Sequence, residues 1–222
     1  VIKLQKIDTV LFDLDGTLVD SNELIIKSFE RTLKEFLPER DFLREEIIEM
    51  IGPPLKETFK IKSEDPSIIE EMINYYRKVY VEMEFDYIEL YPNVIKTLKT
   101  LYDNGINLGI VTTKFKESAI PSIEHYGLNK YIKSYCFLDD VNEHKPHPEP
   151  IFYALNQFNS YKGVIMVGDN SSDIMAGRNA SCLTCGVEWS IKKEIIKELN
   201  PDFWLTDYLE LIDIVLNNNR RK

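Results

Sequence analysis

Short apolar runs recur along the chain, each ending in a polar or acidic residue. Thr9-Val10-Leu11-Phe12 runs into Asp13, residues 106–111 into Thr112, and Val164-Ile165-Met166-Val167 into Gly168-Asp169. Runs this short, unbroken by alternation and spaced by helical stretches, predict buried parallel strands of an α/β sheet. In open sheets of that kind, sites form beyond the carboxyl ends of the strands. Asp13, Thr112 and Asp169 all stand there. Beyond Thr112 the pattern predicts helices over 118–126, 150–158, 171–180 and 207–216, and strands over 135–138 and 183–187. Residues 217–222 read as a frayed end.

The stretch between the first two strands is far longer than one crossover helix requires. Within it Leu24, Ile25, Phe29, Leu33, Phe36 and Leu37 fall at helical spacing, as do Ile68, Met72, Tyr75, Tyr76, Val79 and Met83. Asp65-Pro66 is a start signal for the second helix, Asp as N-cap and Pro in the first turn. Residues 20–88 therefore read as an inserted helical domain, leaving 1–19 and 89–222 as the α/β core. The apolar and Tyr stripes read as bundle core rather than a cofactor box.

Composition narrows the function. In 222 residues, 44% hydrophobic and 11% aromatic content suffices for a packed core. A net charge of −10 argues against a nucleic-acid partner, which requires a continuous basic surface; a small anion needs only a few local donors and a metal. No stretch approaches the roughly 18 uninterrupted apolar residues of a membrane helix, and residues 1–10 hold no apolar signal-peptide core. A cytoplasmic protein without membrane partners is the expectation. Cys136, Cys182 and Cys185 are too few and too unevenly placed for a disulfide framework. Cys182-Leu183-Thr184-Cys185 offers two ligands where a structural zinc needs four, so core cysteine is preferred. His125, His144 and His147 show no ligand spacing, and no Walker A loop, nucleophile elbow or dinucleotide glycine pattern is present.

Four places carry candidate chemistry. In Asp13-Leu14-Asp15-Gly16-Thr17, residues two apart on an extended chain share a side, so both carboxylates can face one site. Gly16 permits a sharp turn away from the strand. Such a pair can divide labour, one ionised as nucleophile or metal ligand, the other an acid/base; alone, in an acidic protein, it is more often a solvated turn. Gly168-Asp169-Asn170-Ser171-Ser172-Asp173 follows a strand and opens a helix. There Asp169 is either an N-cap or a ligand, and Asp173 either favours the helix dipole or joins it. Lys145 precedes a proline-stiffened segment, Pro146-His147-Pro148-Glu149-Pro150. Thr112 ends a strand, a turn former unless its hydroxyl is used.

Together, in this order, the four resemble the haloacid dehalogenase (HAD) superfamily: an Asp-x-Asp-Gly-Thr motif, a strand-terminal Thr or Ser, a Lys before Pro, and Gly-Asp-x-x-x-Asp. The resemblance covers nearly the whole chain, because residues 20–88 look like that family's helical C1 cap. It implies a Rossmann-like parallel-sheet core and a Mg²⁺-dependent phosphohydrolase working through an aspartyl-phosphate. Asp13 would be nucleophile and Mg²⁺ ligand, and Asp15 acid/base and, through its carbonyl, metal ligand. Thr112 and the Thr113 amide would hold phosphoryl oxygens, and Lys145 would offset charge. Asp169 would bind Mg²⁺, and Asp173 would join the metal group, either touching the ion or standing just behind its ligands. Asp15 and Asp169 argue against a dehalogenase; a sugar phosphomutase shares the cap and stays open.

Further segments, among them Ile51-Gly52-Pro53-Pro54-Leu55, Thr112-Thr113-Lys114 and Gly186-Val187-Glu188-Trp189, resemble PpaX-type inorganic pyrophosphatases, with phosphoglycolate phosphatases as close cousins. Ser181 and Ser190-Ile191-Lys192-Lys193 depart from that pattern by lacking a Gly. The implied substrate is pyrophosphate or another small phosphate ester. Lys56, just past the Gly52-Pro53-Pro54 loop, is the substrate-binding candidate, with Lys60, Lys62, Arg77 and Lys78 behind it, although charged helix faces are usually just solvated.

Overall fold

The computed structural model describes residues 6–60 and 63–218. The chain divides into two compact units, Val1–Val19 with Leu90–Lys222, and Asp20–Glu89.

The first unit is built on a six-stranded parallel sheet of order β5-β4-β1-β6-β7-β8. These are β1 (Thr9–Phe12), β4 (Asn107–Val111), β5 (Ser134–Cys136), β6 (Val164–Gly168), β7 (Leu183–Val187) and β8 (Phe203–Leu205). Two short strands, β2 (Val19–Asp20) and β3 (Glu89–Leu90), pair separately where the chain passes between units. Helices α5 (Val94–Asp103), α6 (Lys116–His125), α7 (Glu149–Leu155), α8 (Ser171–Asn179), α9 (Lys193–Glu198) and α10 (Tyr208–Asn218) surround the main sheet. Its strands read as unbroken apolar runs because both faces are covered. On one face Leu11, Val111 and Met166 pack with Ile151, Leu155 and Ala176 of α7 and α8. On the other, Phe12 meets Tyr208 of α10, ring centroids 6.4 Å apart.

The chain runs outward from β1 through β4 to β5, then returns to β6 on β1's other side. This reversal is a topological switch point, where open α/β sheets place their ligands. The register aligns Phe12 with Ile110 and with Val167, so the residues following β1, β4 and β6 emerge together.

The second unit is helical: α1 (Asn22–Phe36), α2 (Arg44–Met50), α3 (Leu55–Lys60) and α4 (Pro66–Tyr87). Phe29 lies 5.7 Å from Phe59 and 4.9 Å from Tyr76, centroid to centroid, and Tyr80 joins them. The Tyr stripe is core. Asp65 caps α4, accepting the Ser67 N–H at 2.9 Å.

Several boundaries differ from expectation. The strand expected over 135–138 ends at Cys136, because Asp140 accepts the Phe137 N–H and Leu138 donates to Lys114 O, turning the chain. Helix α10 runs through Asn218, so Asn217 and Asn218 are not frayed; residues 219–222 lie outside the described residues. Ile26 and Ile69 are buried where Ile25 and Ile68 were expected, while Leu24, Phe29 and Leu33 of α1 and Met72, Tyr76, Val79 and Met83 of α4 are buried as expected. Short helices α2, α3 and α9 and strand β8 went unanticipated. Among the described residues the cysteines are free thiols, and no helix is long and apolar enough to cross a membrane.

Candidate active site

Strand β1 ends by delivering Asp13, whose N–H donates to Val167 O at 2.9 Å, continuing the sheet by one bond. Its carboxylate receives the Lys145 ammonium at 2.7 Å. That ammonium also donates to Asp173 Oδ1 at 2.5 Å and to Val111 O at 2.9 Å. Three N–H donors meet three acceptors, which accounts for a lysine only 6% exposed. The cradle exists because Lys145 sits beneath three separate elements, the ends of β1 and β4 and the first turn of α8.

Asp169 follows β6, and the structure resolves its alternative reading. The cap of α8 is Asn170, which accepts the Ser172 N–H, while Asp173 returns a bond to the Asn170 N–H at 3.0 Å. The Asp169 carboxylate is therefore not used in capping. Thr17 donates its hydroxyl to Asp169 Oδ1 at 3.0 Å, and Ser190 donates to Asp169 O at 2.6 Å. Gly16, at φ +78°, leaves room for that carboxylate: a Cβ there would sit 2.2 Å from Asp169 Oδ2. Tyr208 donates its hydroxyl to Thr17 O at 2.8 Å. Thr17, Ser190 and Tyr208 were not singled out from sequence. Only Thr17, inside the first motif, carried a signal that would have found it.

The site holds surplus negative charge. One oxygen from each of Asp13, Asp169 and Asp173 lies within 4.8 Å of the others, all three buried, and Lys145 pairs with Asp13 and Asp173. Burial, Asp173 and Asp15 push the Asp13 carboxyl up to about 7, against the pull of Lys145. Burial and the charges of Asp13 and Asp173 hold Asp169 well above the usual carboxylate range. Burial works to lower the Lys145 pKa, but Asp13 and Asp173 outweigh it and raise it. Hard oxygens with net negative charge in a desolvated spot fit a divalent cation such as Mg²⁺. Both Asp173 oxygens already serve Lys145 and Asn170, so Asp13 and Asp169 are the better-placed ligands.

Asp15 lies nearer the surface, one carboxylate oxygen buried without a hydrogen-bond partner, the other 3.5 Å from Lys114 Nζ. Thr112 is buried at the end of β4, its hydroxyl oxygen accepting the Lys114 N–H at 3.1 Å; Thr113 beside it is half-buried. Lys56 is exposed on α3 in the helical unit. Lys60 and Lys78 pair with Glu57 and Glu82 on exposed surface, Arg77 is half-buried, and Lys62 lies outside the described residues.

This fold has counterparts. The profile of the "Haloacid dehalogenase-like hydrolase" family matches residues 10–187. The chain is 45% identical to pyrophosphatase PpaX of Listeria welshimeri over 212 residues, 95% of this chain and 97% of that one. It is 43% identical to pyrophosphatase PpaX of Halalkalibacterium halodurans, with the same coverage. Among solved structures, a haloacid dehalogenase-like family hydrolase from Streptococcus pneumoniae aligns at TM-score 0.79 with 25% identity, covering 94% of this chain and 98% of that one. CbbY from Rhodobacter sphaeroides, solved in complex with phosphate, shares the fold at TM-score 0.77 and 21% identity, over 92% and 96% of the two chains. The chain belongs to the haloacid dehalogenase-like hydrolases.

Proposed function

We propose that the protein is a Mg²⁺-dependent phosphohydrolase that attacks phosphorus with Asp13 and that its substrate is inorganic pyrophosphate. One observation carries the chemistry: a buried lysine bridges Asp13 and Asp173 beside a third buried carboxylate, Asp169. The relatives named for pyrophosphatase activity support the substrate. Phosphoryl transfer asks for positioning and for neutralisation of a highly charged transfer. Asp13 is fixed by its sheet-like backbone bond, and Lys145 favours its ionised, nucleophilic form. An Asp13 oxygen bonds to phosphorus as the bridging P–O bond breaks, and Asp15 gives the departing oxygen a proton. Asp15 then takes a proton from water, whose oxygen displaces Asp13 and releases phosphate.

Thr112 and the Thr113 amide hold phosphoryl oxygens at the end of β4. Asp13, Asp169 and the Asp15 carbonyl would hold Mg²⁺, which would supply charge neutralisation for the phosphate when bound. Asp173 acts at one remove from the metal, holding Lys145. Residues 20–88 are read as the cap, with Lys56 its candidate for the substrate, on family resemblance alone.

A phosphate-release panel with Mg²⁺ tests the reading, comparing pyrophosphate, phosphoglycolate, sugar phosphates and nucleotides. Pyrophosphate should give the highest kcat/KM, and EDTA should abolish turnover. Full activity in EDTA would sink the metal assignment. Preference for phosphoglycolate would replace the substrate and keep the Asp13 chemistry, and transfer without free phosphate would mean a mutase.

A further inference from the structure

The two carboxylates of Asp13-Leu14-Asp15 each face a lysine, but in different ways. Lys145 donates one hydrogen bond to Asp13 and another to Val111 O from a closed cradle. Lys114 stands 3.5 Å from Asp15 Oδ2, a looser ion pair, and its side chain is only 11% exposed. Other lysines paired with carboxylates look different: Lys60, Lys99 and Lys78 are 50%, 59% and 72% exposed. A lysine ordinarily keeps its head in water, so withdrawal beside a reactive carboxylate calls for a reason.

Its backbone is held from both sides. The Lys114 N–H donates to Thr112 Oγ1 at 3.1 Å, and its carbonyl accepts the Leu138 N–H at 3.0 Å. Two residues on, the Lys116 N–H donates to Asp139 Oδ1 at 2.9 Å. The loop after β4 is thereby tied to the turn Leu138–Asp140, and the Lys114 stem starts from a fixed point.

We propose that Lys114 binds the anionic leaving group, and so helps select substrates whose leaving group carries its own negative charge. The inference rests on the role given to Asp15 above. If Asp15 serves the departing oxygen, a cation on the Asp15 carboxylate lies beside the leaving group rather than the transferred phosphoryl. Once Asp15 has given its proton to the departing oxygen, a leaving phosphate or carboxylate stands beside the Asp15 carboxylate, and that repulsion needs a local cation. Lys145 attends the phosphoryl that Asp13 receives; Lys114 attends the fragment that departs. Part of the specificity then lies in the catalytic unit itself.

The test compares wild type, Lys114→Met and Lys114→Arg on pyrophosphate, phosphoglycolate and p-nitrophenyl phosphate, whose leaving group has no second anion. Losing a charge-assisted contact should lower kcat/KM for pyrophosphate and phosphoglycolate by about 10- to 100-fold in Lys114→Met, against about threefold for p-nitrophenyl phosphate. Lys114→Arg should recover much of the difference. The p-nitrophenyl phosphate rate also reports that the variant is folded, and Lys114→Gln carries the same comparison should the Met variant melt early. Equal losses on all three substrates, or none on the anionic pair, would overturn the proposal. A wild type that prefers phosphoglycolate removes the pyrophosphate reading alone, because the ratio between phosphoglycolate and p-nitrophenyl phosphate still decides the role of Lys114.

Discussion

The two units use their polar residues in opposite ways. The sheet unit buries Asp13, Asp169, Asp173 and Lys145 and gives that group its own hydrogen-bond donors and acceptors. The helical unit buries an aromatic cluster of Phe29, Phe59, Tyr76 and Tyr80, and sets its ion pairs, such as Arg40–Glu46 and Lys60–Glu57, on the surface. Burying charge is expensive. Several kcal/mol per ion is the usual order even after relaxation, and a protein retains such a group only where it is compensated. Exposed pairs contribute about 0–1 kcal/mol. The sheet unit thus clusters its buried charges at the candidate site and keeps other pairs, such as Lys193–Glu188, near the surface, whereas the helical unit buries a single carboxylate, Glu84, among its described residues.

Three substitutions sharpen or break this contrast. Lys145→Met should have the largest effect, leaving Asp13 and Asp173 without the cation they share, beside a third buried carboxylate. Turnover should fall by about 10²- to 10³-fold, the scale of lost electrostatic stabilisation. Urea unfolding of the metal-free protein should show a loss of about 3–5 kcal/mol, the usual result of stranding a buried charge. A Lys145→Met protein of wild-type stability would show that the cluster sheds its charge by protonation instead.

Phe29→Ala comes next. Phe29 is 2% exposed and packed on two rings, so truncation should destabilise by about 3–5 kcal/mol through lost transfer energy and a residual cavity. Thermal melting followed by circular dichroism reads that loss. Lys60→Ala should do least. Its pair with Glu57 is half exposed, and the expected change in denaturation midpoint corresponds to less than about 0.5 kcal/mol. A larger effect would mean that the helical unit, too, uses its charges structurally.

The site residues most directly legible in sequence are those that follow a strand, while Asp15, Lys145 and Asp173 were read from their motifs. Asp13, Thr112 and Asp169 follow apolar runs whose burial in a parallel sheet is written in their composition. Asp169 was ambiguous only because a carboxylate after a strand serves equally as cap or ligand; the neighbouring Asn170 takes the cap. The bonds that orient these groups were not legible. Thr17 reaches Asp169 across 152 residues and Tyr208 reaches Thr17 across 191, distances closed only by the strand order. Helices α2, α3 and α9 span 7, 6 and 6 residues, too short for periodicity to accumulate. Lys114 lies in a motif quoted for family likeness, yet its withdrawal toward Asp15 depends on a loop tied to a distant turn.

The central claim is that Asp13 forms a bond to phosphorus, and acid quenching tests it directly. Wild-type protein with Mg²⁺ is mixed with the preferred substrate of the panel, labelled at phosphorus, and quenched within one turnover. The account predicts protein-bound label that hydroxylamine releases, mapping to the peptide that contains Asp13 and absent from Asp13→Ala, which should also show no measurable turnover. Label on a different residue, or an Asp13→Ala protein that still releases phosphate at the wild-type rate, would contradict it.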